Sequence, residues 1–326
     1  MARQRQSATG TRNGARKPSP DERQDDTDNP VAPDVPEGRP WGRGSKPAPG
    51  LYLVSTPIGN LRDITLRALD VLSQADLVAC EDTRMTGKLF QLLGLSAPLS
   101  PYHDHNAERA RPALMARLAA GEVIALVSDA GTPMVSDPGW RLVQACIEHH
   151  IAVTSVPGAS AALTGLQLSG LPADRFLFAG FLPTRGAGRR TVLKELETAP
   201  ATLIFYESPH RVAESLSDMA TVLGNRDAAV ARELTKMHEE VVRAPLLDLA
   251  NRYAAAPPRG EVVIVVAPPG DAAPIGPEEL EARLKGAVAE GSSIKDAAAL
   301  VAAETGLGRR EVYALALRLF RGGNEE

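Results

Sequence analysis

Five consecutive apolar residues, Val123-Ile124-Ala125-Leu126-Val127, run directly into Ser128-Asp129-Ala130-Gly131-Thr132-Pro133-Met134-Val135-Ser136-Asp137-Pro138-Gly139. A short unbroken apolar run bounded by turn formers predicts a buried strand. The two prolines, two glycines and two carboxylates that follow predict a sharp turn before a helix near Trp140. In open α/β sheets ligands gather outside the carboxyl ends of strands, and the small residues here leave room for Asp129 and Thr132 to converge on one. The same residues also suit an ordinary surface turn, so the reading depends on the neighbouring loops.

Those loops repeat the pattern. Leu51-Tyr52-Leu53-Val54 predicts a strand that ends in Ser55-Thr56-Pro57-Ile58-Gly59-Asn60-Leu61. Asp63 is then expected to cap a helix striped by Ile64, Leu66, Leu69, Val71 and Leu72. Neither a Gly-x-Gly-x-x-Gly fingerprint nor a Gly-Lys-Thr/Ser ending is present in that loop, so neither nicotinamide nor ATP is indicated. Asp76-Leu77-Val78-Ala79-Cys80 predicts a second strand delivering Glu81-Asp82-Thr83-Arg84. That cluster is either a self-satisfied ion group or a site where a carboxylate takes a proton beside a phosphate-fixing arginine. Tyr102-His103-Asp104-His105-Asn106 has a spacing two metal ligands could use. With no cysteine or further histidine nearby, and Asn106 suited to cap the next helix, no metal is expected. A strand over 152–156 then leads into Pro157-Gly158-Ala159-Ser160-Ala161, a helix start whose free N–H groups suit an anion. The stretch lacks the closing glycine of a nucleophile elbow, and helix capping explains Ser160.

From Leu171 strands and helices alternate again. Strands are expected over 176–181, 201–206, 228–232 and 261–266, with helices over 189–197 and 211–223, forming a second α/β layer. Its polar segments, Glu207-Ser208-Pro209-His210-Arg211 and the charged run from Arg232 to Glu240, follow strands and suit a cleft facing the first half. A linker from Pro268 to Pro277 precedes three helical segments over 278–290, 293–305 and 309–321. The last two flank Gly306-Leu307-Gly308 as a helix-turn-helix would, with Ser293 as a cap and Arg309-Arg310 placed to meet a nucleic-acid backbone. Residues 1–49 hold almost no aliphatic side chains and are expected to be disordered. The amino-terminal residues lack a signal peptide's apolar stretch and no segment approaches a membrane span, so a cytoplasmic location is expected. The net charge of -4 argues against non-specific nucleic-acid binding by the whole surface. Cys80 and Cys146 fall inside a predicted strand and a predicted helix and read as small buried hydrophobes.

Taken together, Ser55 to Leu61 with Asp63-Ile64-Thr65, Glu81 to Arg84, Ser128 to Pro133 with Ser136 to Gly139, Pro157 to Ser160, Tyr206 to Arg211, and Arg232 to Lys236 resemble the tetrapyrrole methylase superfamily of S-adenosylmethionine enzymes. They are most similar to its bacterial branch that methylates the ribose 2′-hydroxyl of a cytidine in small-subunit ribosomal RNA. The resemblance runs from about Gly50 to Val266 and implies two α/β domains, over 50–156 and 157–268, with the methyl donor between them. It also implies a helical appendage over 277–326, a homodimer, and ribosomal RNA or the assembled small subunit as partner. The donor-binding residues it implies are Ile58, Asp129, Gly131, Thr132, Ala159, Ser160 and Tyr206, with Gly260 and Glu261 as weaker candidates. Asp82 or Glu81 is then expected to accept the proton, with Arg84, Arg211 and Lys236 holding RNA phosphates or offsetting charge. Arg309 and Arg310 are expected to bind RNA. A tetrapyrrole-ring methylase sharing the donor site, or an RNA-binding assembly protein without catalysis, are the competing expectations.

Overall fold

A computed structural model describes residues 46–134, 139–270, 277–305 and 307–321. The tail before residue 46, residues 135–138 of the turn after the 123–127 strand, residues 271–276 of the linker, Gly306 and residues 322–326 lie outside the described residues.

Two five-stranded sheets carry the molecule. The first contains β1 (Gly50–Val54), β2 (Leu77–Cys80), β3 (Leu99–Pro101), β4 (Val123–Val127) and β5 (Val153–Val156) in the order β3-β2-β4-β1-β5, all parallel. Every β4 residue is buried, as expected of a central strand covered on both faces. One face is closed by α1 (Leu66–Gln74) and α2 (Thr83–Leu93), which set Leu69, Leu72, Phe90 and Leu93 against Val78 and Ala125. The other is closed by α3 (Ala107–Ala119) and α4 (Trp140–Glu148) through Leu114, Leu118, Leu142 and Cys146. Both cysteines are free and buried. The cap of α1 is Thr65, whose hydroxyl accepts the Ala68 N–H at 3.1 Å. Asp63, the residue expected there, sits instead in a short 3-10 turn over Leu61–Asp63, because the chain stays extended through Ile64.

The second sheet has the order β6-β7-β10-β8-β9, from β6 (Phe176–Phe181), β7 (Thr202–Glu207), β8 (Asp227–Arg232), β9 (Glu240–Pro245) and β10 (Val262–Val266). Only β6 and β7 are parallel; the remaining pairs are antiparallel. Helices α6 (Gly186–Leu196), α7 (Val212–Leu223) and α8 (Leu246–Ala255) bury Leu193, Leu216, Met219, Leu249 and Tyr253 on one face. On the other lies α5 (Ala161–Ser169), which leaves the first sheet yet packs Ala162 and Leu166 against Ile204, Val263 and Val265. Gly165 permits that contact, since a Cβ there would stand 2.8 Å from Val263 Cγ1. Ile58, from the loop after β1, joins the same cluster, so the two sheets share apolar packing. The carboxy-terminal helices α9 (Pro277–Ala289), α10 (Ile294–Thr305) and α11 (Arg309–Arg321) close around their own core of Leu284, Ala298, Val301, Val312 and Ala316. Ser293 caps α10 by accepting the Asp296 N–H.

Candidate active site

The loops that leave β1, β4 and β5 are stitched together at the carboxyl ends of their strands. Thr56 and Gly131 exchange backbone hydrogen bonds of 2.9 and 3.1 Å, the Thr132 hydroxyl donates to the Ala159 carbonyl at 3.0 Å, and the Ser55 and Thr132 hydroxyls are 3.1 Å apart. Gly131 has φ +78, in the left-handed region, and a Cβ on it would lie 3.2 Å from Ile58 Cγ2. Opposite these loops stand the ends of β7 and β10. Between them is a cavity of about 360 Å³ lined by Ile58, Gly131, Thr132 and Ser160 on one side and by Phe181, Tyr206, Leu234 and Gly260 to Val263 on the other. Tyr206 accepts the Ala162 N–H at 3.2 Å and meets Phe178 and Phe181 edge-on, at 4.8 and 5.6 Å between centroids.

The expected donor residues divide. Ile58, Gly131, Thr132, Ser160 and Tyr206 line this cavity, as do Gly260 and Glu261. Ala159 is not among the lining residues; its carbonyl is taken by Thr132. Asp129 faces the other way, because its carboxylate accepts the Asp82 N–H at 3.0 Å. Pro209 and Leu234 fall in the segments expected at the cleft, whereas Phe181 was missed from sequence, since only the pairing of β6 with β7 brings it to the rim.

Across the Asp129–Gly131 backbone a second, open hollow is lined by Glu81, Asp82, Arg84, His103, His105 and Asp129. Here the two acids behave differently. Asp82 caps α2 and grips the Arg84 guanidinium at 2.6 Å, and that hydrogen bond, aided by the Arg84 N–H, holds its carboxyl down to about 2. Burial, seconded by the charges of Asp129 and Asp104, pushes Glu81 up from the usual carboxylate range. Glu81 is therefore the better proton acceptor and Asp82 the poorer one.

Two cations expected at the chemistry are occupied elsewhere. Arg211 is turned inward on the buried Glu207, donating Nε at 2.8 Å, with Nη2 shared between Glu207 and the Leu182 carbonyl. Glu207 also accepts the Ser208 N–H at 2.7 Å and the Ser215 hydroxyl. This arginine braces Glu207, which lines the cavity. Lys236 pairs with Glu233 at 2.8 Å and Glu261 at 3.3 Å. Burial works to lower its ammonium, but the Glu233 hydrogen bond and the Glu261 charge outweigh that and raise it, so Lys236 stays charged. It lies over Gly59, where a Cβ would meet Lys236 Cγ at 2.5 Å, beside the 3.0 Å bond from the Asn60 N–H to the Thr235 hydroxyl. Lys236 is thus a residue of the seam between the sheets and not of the acidic hollow. Arg309 and Arg310 are exposed at the start of α11. Among the described residues no group of three or more His, Cys, Asp or Glu is placed to hold a metal ion.

Residues 50–250 match the family model of tetrapyrrole (corrin/porphyrin) methylases. The chain belongs to that family. Residues 274–320 match the RsmI C-terminal HTH domain, which accounts for α9 to α11. The chain is 50% identical over 273 residues to the ribosomal RNA small subunit methyltransferase I of Mesorhizobium japonicum, covering 83% of this chain and 92% of that protein. It is 46% identical over 276 residues to the protein of the same name from Synechocystis sp., covering 84% and 99%. The crystal structure of diphthine synthase shares the tetrapyrrole methylase fold at a TM-score of 0.53 and 18% identity, over 67% of this chain and 89% of that one.

Proposed function

We propose that this protein is an S-adenosylmethionine-dependent methyltransferase acting on the ribose 2′-hydroxyl of a cytidine in small-subunit ribosomal RNA. The observation that carries the proposal is a donor-sized cavity bordered by Ala130 and Gly131 and an acid-lined hollow bordered by the adjacent Asp129. The name borne by relatives about half identical to the chain supports the choice of acceptor.

The cavity suits the donor. Ile58, Leu234 and Val263 offer an apolar slot for an adenine ring, Tyr206 an aromatic edge, and the Gly131 turn brings bare backbone to the surface where a side chain would intrude. When bound, S-adenosylmethionine supplies a methyl group on a sulfonium, displaced in line with the thioether as leaving group. The chain's own contribution is alignment and a proton acceptor. Aligning reactants can lower a barrier by ~7–11 kcal/mol, whereas one general base contributes roughly 10²–10⁴-fold. Glu81 takes the ribose hydroxyl proton on its carboxylate as the oxygen attacks. Asp82 holds Arg84 at the rim, where the guanidinium is open to an RNA phosphate. Tyr206 and the Glu207–Arg211 pair fix the cavity wall contributed by the second sheet. By the same family resemblance the working unit is a homodimer, which sedimentation at several concentrations checks.

The test is to incubate the protein with methyl-labelled donor and either intact small ribosomal subunits or precorrin-like rings. Label in the ribose of subunit RNA is the expected result. Label in the ring, or in neither with donor bound, overturns the proposal.

A further inference from the structure

Beside the acidic hollow, and sharing His105 with it, is a third cavity of about 300 Å³ lined by Tyr102, Asp104, His105, Glu108, Trp140 and Arg141. Two features mark it as more than a surface dimple. Trp140 opens α4 with 58% of its surface exposed, and Arg141 stands 5.3 Å from the centroid of its indole ring. An exposed indole beside a guanidinium is a stacking platform for a nucleobase. Finally, Arg141 is paired with Glu108 at 3.1 Å, whereas Asp104 accepts no hydrogen bond among the described residues and so has its carboxylate available.

Resting on the function proposed above, we infer that this cavity takes the base of the methylated nucleotide, stacked on Trp140, with its ribose reaching into the neighbouring hollow towards Glu81. A carboxylate acceptor matches cytosine, whose exocyclic amine donates; uracil presents a carbonyl in place of that amine. Asp104 accepts from the amine. Trp140 and Asp104 are therefore specificity-determining residues, and neither lines the donor cavity.

The experiment measures methylation of intact small ribosomal subunits, carrying cytidine or uridine at the mapped acceptor, alongside donor affinity by calorimetry. Trp140→Ala should lower kcat/KM roughly tenfold, chiefly through KM, with Trp140→Phe recovering most of the loss and donor affinity unchanged in both. Asp104→Asn should reduce the preference for cytidine over uridine. Wild-type kcat/KM in Trp140→Ala, or an unaltered cytidine preference in Asp104→Asn, overturns this assignment alone. A wild-type protein that binds donor and labels no subunit overturns the functional proposal and the base site with it.

Discussion

Neighbouring carboxylates one residue apart are placed under opposite electrostatic regimes. Asp82 is committed to its cap and to Arg84, whereas Glu81 is partly desolvated among like charges. Replacing Glu81 with glutamine should therefore cut the single-turnover rate by roughly 10²–10⁴ with donor affinity intact, and Asp82→Asn should cost far less. The rate in the wild type should rise with pH through a midpoint above the ordinary glutamate value of 4.5, because Glu81 accepts a proton only once ionised and its folded pKa is raised. Stability moves the same way through Asp82, at lower pH. Its folded pKa is depressed, so its contribution is present above the unfolded value of 3.8 and is lost as pH falls towards about 2. Acid-unfolding curves of Asp82→Asn should lack that loss. Sequence could place both acids at a strand end but could not rank them, since the ranking depends on Asp129 and Asp104, 47 and 22 positions along the chain from Asp82. The inward turn of Arg211 was equally hidden, because its partner Glu207 only becomes buried once β7 lies between β6 and β10.

At the scale of elements, strands with continuous apolar runs were legible: β4, β6 and β10 lie where their residues predict. Edge strands were not. β9 carries Glu240 and Arg243 and ends in Pro245, which reads as a polar segment because an edge needs no second apolar face, and the three-residue β3 is too short to show a period. The seam between sheets depends on close approach at two glycines. Gly165→Ala should force α5 off Val263 and cost about 1–3 kcal/mol in thermal unfolding. Gly59→Ala should push against Lys236 Cγ, Thr235 Oγ1 and the Leu234 carbonyl, and weaken donor binding in calorimetry because Ile58 and Leu234 move apart across the cavity.

For the whole molecule, alternating strands and helices gave the α/β class, but which pairs run parallel follows from the returns through β8 and β9. The carboxy-terminal helices hold a core of their own and present Arg309 and Arg310 outward, so their contribution to RNA affinity should be separable from catalysis. Arg309→Glu with Arg310→Glu should weaken subunit binding and flatten the slope of log affinity against log salt by about 1–2, leaving donor affinity alone. Gly131 turns the chain at the donor cavity without a side chain of its own, and a Cβ there would stand 3.2 Å from Ile58 Cγ2, so the room left for a ligand beside Ile58 is set by a missing atom and not by a present one.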